Sequence, residues 1–111
     1  MLIIDRNRSF LEAVRHCVAG LPDCRVTTAS SPEAGLRAAR AMRPEIVLAD
    51  DELRTAAGQP VVRALRPLLP EAVLVCLSLD GGSPRERSAD VCLDKPRLAE
   101  TLPPLLAALR H

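Results

Sequence analysis

Short apolar runs alternate along this chain with longer amphipathic stretches. Leu2-Ile3-Ile4, Arg25-Val26-Thr27-Thr28-Ala29, Ile46-Val47-Leu48-Ala49, Ala72-Val73-Leu74-Val75-Cys76-Leu77 and Val91-Cys92-Leu93 each read as a strand, the second an edge strand by its polar β-branched middle. Between the first two, Phe10, Val14, Cys17, Val18 and Leu21 recur at helical spacing, predicting a helix over 9–20 that Asn7 can cap and Gly20 stops. Ser31-Pro32-Glu33 opens a second helix, with proline in the first turn where its missing N–H costs nothing, running to Met42. Pro60 opens a third that carries Val61, Val62 and Leu65 and is closed by Pro67 and Pro70. Residues 80–88, made of Gly, Pro, Ser, Arg and acids, predict a loop with at most one helical turn. Leu98, Leu102, Leu105, Leu106 and Leu109 form a last helical stripe. Pro103-Pro104 suit only a first turn, so a turn near 97–100 and a helix over 102–110 capped by Thr101 are expected.

Strands alternating with helices predict an α/β domain spanning residues 1–111: a five-stranded parallel sheet with helices on both faces and right-handed crossovers. The flavodoxin-like strand order 2-1-3-4-5 sets strands one, three and four side by side. It brings Asp5, Asp50, Ser78 and Lys95, each at or just past the end of an apolar run, to one edge. Ligands of open α/β sheets bind at that edge, which makes Asp50, after the run Ile46-Val47-Leu48-Ala49, the first candidate for a working group.

Composition narrows the choices. With 111 residues, a net charge of +1 and 48% hydrophobic residues, the chain is globular and has room for one core. No apolar run is long enough to span a bilayer, and the start lacks a basic segment before its apolar run, so a cytoplasmic protein is expected. Phe10 is the sole aromatic residue, which leaves no stacking platform for single-stranded nucleic acid, and the arginines form no stripe for duplex. Cys17, Cys24, Cys76 and Cys92 match no zinc or dithiol spacing and read as reduced, small hydrophobes. Lys95 stands out as the only lysine among 15 basic residues.

Two acids, a hydroxyl and one ammonium suit phosphoryl handling at a carboxylate. An Asp can attack a phosphoryl donor and hold the group as an acyl phosphate, a hard cation such as Mg²⁺ can screen the charge, and a lysine can pair with a phosphoryl oxygen. Asp5 and Ser78 also have ordinary structural uses, as a loop or helix cap and as a partner for strand-end backbone groups.

In Asp5, the stretch from Pro44 to Asp50, Gly58, Ser78 and Lys95-Pro96, the chain resembles the response-regulator receiver domains of two-component systems, with their CheY-like fold, over essentially its whole length. The resemblance implies that Asp50 is the phosphoacceptor, Ser78 the switch hydroxyl and Lys95 the phosphate-pairing cation. It implies Mg²⁺ held by Asp5, Asp50 and the backbone carbonyl of Glu52, and a Lys-Pro bond that is often cis. Partners would be a sensor histidine kinase or phosphotransfer protein and a downstream protein, as in stand-alone members that act by binding and are not enzymes.

Departures from the pattern are equally specific. Arg6 stands where the family usually has a second acid, which weakens Mg²⁺ binding and allows an Arg6–Asp50 ion pair in the metal's place. Leu79 is bulky where a small residue is usual, Cys92 replaces the switch aromatic, and Arg54 replaces a loop proline. The segment from Ser78 to Lys95 is about five residues short, more than a helical turn, so the helix between strands four and five should be shortened or lost.

The leading expectation is therefore a phosphorelay receiver that accepts a phosphoryl group on Asp50 and signals through protein contacts. The alternative is a degenerate, phosphorylation-independent receiver acting as a protein-binding or dimerisation module, with Leu105 and Leu109 available to a homodimer. A flavodoxin-like enzyme or cofactor carrier is disfavoured, because the first strand exits through Asp5-Arg6-Asn7 and not a glycine-rich or Ser/Thr-rich phosphate loop.

Overall fold

Residues 1–22, 24–79 and 88–109 are described by the computed structural model. The strands β1 (Leu2–Ile4), β2 (Thr27–Ala29), β3 (Ile46–Asp50), β4 (Val73–Ser78) and β5 (Val91–Asp94) form one parallel sheet in the order β2-β1-β3-β4-β5. This is the flavodoxin-like arrangement expected from the alternation of strands and helices. Helices α1 (Arg8–Val18), α2 (Pro32–Met42), α3 (Val61–Leu68) and α4 (Leu98–Leu109) pack on its two faces. The period-two alternation of the strands decides which side chain meets which helix. Ile3, Leu48, Val75 and Leu77 pack with Leu11, Val14, Leu98 and Leu102 on the α1 and α4 side. Leu2, Ile4, Val47, Ala49 and Leu74 pack with Ala39, Val61, Val62 and Leu65 on the α2 and α3 side. Among the described residues no helix is long and apolar enough to cross a membrane.

Two close fits hold the functional edge in place. Gly35 of α2 lies against Ile4, where an added Cβ would come 2.5 Å from Ile4 Cδ1, so only glycine lets α2 approach the residue that precedes Asp5. The loop after β3 is pinned by the Asp51 N–H on the Leu77 carbonyl at 2.9 Å and the Val61 N–H on the Leu53 carbonyl at 3.0 Å. It reverses through a tight turn in which Gly58, at φ +83, donates to the Thr55 carbonyl at 2.8 Å.

Several boundaries differ from those the sequence pattern predicts. β2 omits Arg25 and Val26: Met1 still bonds to the Arg25 carbonyl and the Thr27 N–H, but the paired register starts only at Leu2 and Thr27. The first helix ends at Val18, before Gly20, where Ala19 donates back to the His16 carbonyl in a tightened turn. Pro67 does not close α3 but sits in its last turn. Its missing N–H would have met the carbonyl of Arg63, an exposed residue where water can substitute.

The last helix departs most. A 3₁₀ turn over Lys95–Arg97 winds directly into α4, which starts at Leu98 and carries Pro103 and Pro104 inside it. Thr101 is not a cap, since its hydroxyl donates to the Arg97 carbonyl at 3.1 Å. The two bonds the prolines forgo fall on the carbonyls of Ala99 and Glu100, both exposed. The expected loop over 80–88, and with it the shortened or lost helix, lies outside the described residues apart from Ser88.

A clasp without a sequence signature joins α3 to the starts of β4 and β5. The Arg66 guanidinium donates to the Ser88 carbonyl at 3.0 and 3.2 Å, to the Ala72 carbonyl at 3.1 Å and to Asp90 Oδ2 at 2.7 Å. Asp90 Oδ2 also accepts the Leu74 N–H at 2.8 Å. Burial alone would raise the Asp90 pKa, but the Leu74 N–H and the Arg66 charge outweigh it and hold the carboxyl below the usual 3.8.

Two outcomes follow. Gly35→Ala should lower stability by about 1–3 kcal/mol in denaturant melts, since the clash with Ile4 exceeds the gain in helix propensity. The stability difference between wild type and Asp90→Asn should be fully present above the unfolded carboxyl pKa and fade as pH falls through the lower native value.

Candidate functional site

Asp5 follows β1 and Asp50 ends the neighbouring β3, each one residue beyond the Ile4–Ala49 pair of the β1–β3 ladder. Lys95 follows β5, with β4 lying between it and β3. Two strand spacings of ~4.8 Å separate β5 from β3, a span that only a long side chain can cross. The Lys95 ammonium lies 2.7 Å from Asp50 Oδ2 and 2.6 Å from Asp5 Oδ2. The side chains of Lys95, Asp5 and Asp50 are 9%, 2% and 15% exposed.

The remaining carboxylate oxygens are held by backbone. Asp5 Oδ1 accepts the Asn7 N–H at 2.8 Å and Asp50 Oδ1 accepts the Glu52 N–H at 2.9 Å. Asp5 Oδ2 has no well-angled hydrogen bond, so the Lys95 contact on that atom is chiefly an ion pair. Burial alone would lower the Lys95 pKa, but the two carboxylates outweigh it and hold the ammonium above its ordinary value. The Lys95 ammonium also lies 5.0 Å from the centre of the Phe10 ring, a cation–π contact. Sequence reasoning missed this use of Phe10 and assigned it to the helical stripe; its being the sole aromatic was the available signal.

Arg6 does not form the expected pair with Asp50. It is exposed, and among the described residues the cation on Asp50 is Lys95. The Lys95 side chain is 9% exposed, whereas the exposed Arg6 would have to leave water to compete. Ser78 is 7% exposed and lies one residue beyond Leu77, the partner of Asp50 in the β3–β4 ladder, at the same edge. The Lys95–Pro96 peptide is trans, unlike the form often found in the family the sequence resembles.

The three charged groups lie in a cleft of about 460 Å³ lined also by Arg6, Asn7, Phe10, Glu52, Leu79 and Pro96. Leu79, 65% exposed, stands on its wall as expected of a bulky residue near Asp50. Among the described residues no three His, Cys, Asp or Glu side chains converge as metal ligands. All four cysteines are free. Cys92 pairs with Cys76 across the β4–β5 ladder, and burial pushes both thiols up, which keeps them protonated.

No family model matches the chain, and no curated protein matches it. Solved structures do. The RcsB response regulator of Salmonella typhimurium aligns at a TM-score of 0.85 and 14% identity over 98% of this chain, which spans 60% of that protein. A response regulator receiver domain protein from Clostridium thermocellum aligns at a TM-score of 0.80 and 21% identity, over 96% of this chain and 90% of that one. The chemotaxis protein CheY4 of Vibrio cholerae aligns at a TM-score of 0.80 and 22% identity, over 96% of this chain and 94% of that one. The chain has the fold of the response-regulator receiver domains.

Proposed function

We propose that the chain is a degenerate receiver that works as a protein-binding or dimerisation module without phosphorylation of Asp50. The observation that carries this reading is the Lys95 ammonium lodged between Asp50 and Asp5 at 2.7 and 2.6 Å. Each carboxylate has one oxygen on that ammonium and the other on a backbone N–H. Both Asp50 oxygens are therefore already engaged, one by a cation and one by a backbone N–H, which supports a site not used for attack on a phosphodonor. Mg²⁺ demands near-octahedral oxygen ligands, and here both acids are engaged while Arg6 adds a positive charge beside them. This donor set does not suit Mg²⁺, and no step is assigned to it.

Partners on this reading are proteins, and the domain carries out no reaction of its own. RcsB is described in complex with DNA, but this chain spans only part of RcsB, and its lone aromatic residue and scattered arginines give no nucleic-acid surface. The second reading, phosphoryl transfer from a histidine kinase or phosphotransfer protein to Asp50 with Ser78 and Lys95 assisting, is favoured by the cleft, which leaves Asp50 partly open.

Incubation with a small phosphodonor and Mg²⁺ separates the two readings by mass spectrometry. The intact mass should stay constant, whereas a gain of about 80 Da that disappears in Asp50→Asn would establish the second. Arg6→Asp should raise Mg²⁺ affinity measured by calorimetry. Lys95→Met should cost about 3–5 kcal/mol of stability, because it leaves two buried carboxylates facing each other. That difference should be full below the ordinary lysine pKa of 10.5 and fade only as pH rises through the higher native value.

A further inference from the structure

Two of the four cysteines lie side by side in the sheet. Cys76 of β4 and Cys92 of β5 are register partners in the parallel ladder, and the period of two from Leu74 sets both on the α2 and α3 side. Cys17 lies in α1, and Cys24 lies outside every strand and helix. The paired thiols are hydrogen-bonded to each other, a contact that holds the proton on Cys76 and eases its loss from Cys92. Among the described residues no third side chain joins them as a metal ligand, so the chemistry open to the pair is with each other.

Neighbouring strands lie ~4.8 Å apart, within the span of about 4.4–6.8 Å between Cα atoms that a disulfide bridges. Register neighbours in a parallel ladder send their side chains the same way and not towards each other, so closing the bond twists β5 against β4. A disulfide strained in this way is readily reduced again, which suits a reversible modification better than a permanent staple. We propose that Cys76 and Cys92 form a redox modification site, closed by exchange with a low-molecular-weight disulfide and coupled to Lys95 through β5.

The exchange takes two steps. Cys92, half-buried where Cys76 is 1% exposed, meets the small disulfide first. Its thiolate attacks one sulfur of RSSR and expels RS⁻, leaving Cys92 in a mixed disulfide. Cys76 then attacks the Cys92 sulfur and displaces the second RS⁻. The two leaving thiolates take up the protons of the two cysteines, so the dithiol is oxidised and RSSR is reduced to two RSH. Burial and the Asp51 carboxylate keep the Cys92 thiolate scarce, so the exchange is slow. Lys95 follows β5 directly, three residues after Cys92, and a twist of that strand shifts its ammonium against Asp5 and Asp50. The inference does not depend on whether Asp50 is phosphorylated.

Incubation of the native chain with glutathione disulfide, then alkylation of the remaining thiols, tryptic digestion and mass spectrometry, tests it. The fragments carrying Cys76 and Cys92, which trypsin separates at Arg85 and Arg87, should be joined, and excess reduced glutathione should free them. Cys92→Ser should leave Cys76 unmodified, while Cys76→Ala should halt at a glutathione adduct on Cys92. Cys17→Ser combined with Cys24→Ser should leave the bond intact. In spectra of the ¹⁵N-lysine-labelled chain the Lys95 ammonium signal should move on oxidation and return on reduction. Fragments that stay separate at every ratio of oxidised to reduced glutathione, or a bond that joins other cysteines instead, would overturn the site. A bond that forms without moving the Lys95 signal would overturn its coupling to the ion cluster.

Discussion

One ammonium group between two carboxylates sets the character of this domain. Asp5 and Asp50 come from adjacent strands and would repel each other at a desolvated edge if nothing positive lay between them. Lys95 supplies that charge from beyond β5, and the backbone N–H groups of Asn7 and Glu52 satisfy the oxygens it does not reach. A buried ion cluster is tolerable only when its charges are paired, and here each of the four carboxylate oxygens has one partner, the ammonium or a backbone N–H. On the proposed reading, these contacts are what keep Asp50 from acting on a phosphoryl donor.

The rest of the fold serves to deliver these groups. β1 and β3 must be neighbours to bring the acids together, which the β2-β1-β3-β4-β5 order ensures. Gly35 lets α2 settle onto Ile4 immediately before Asp5, and the pinned loop from Asp51 to Val61 fixes the backbone N–H that Asp50 uses. Arg66 ties the far ends of β4 and β5, so the strand carrying Lys95 is anchored at its start by a second charged group.

Much of this was legible because it follows from local rules. Apolar runs ending in acids gave the strands and the functional edge, and Asn7 and Ser31 do cap α1 and α2 through their side chains. What escaped depended on distant partners. Pro103 and Pro104 were assigned to a first turn because nothing local shows that the Lys95–Arg97 turn starts the helix early. Arg66 looked like any other arginine until Asp90 and the Ser88 carbonyl were placed beside it. Arg6 was the nearer cation to the acids in sequence, but Lys95 is the one the sheet desolvates and aims.

Because Lys95 is the only lysine, ¹⁵N-lysine labelling yields one side-chain ammonium signal, which reports directly on the central cluster. Its hydrogens should exchange slowly with water, and neither Mg²⁺ nor a small phosphodonor should shift the signal. An ammonium exchanging as fast as a free lysine, or one moved by either addition, would contradict the account.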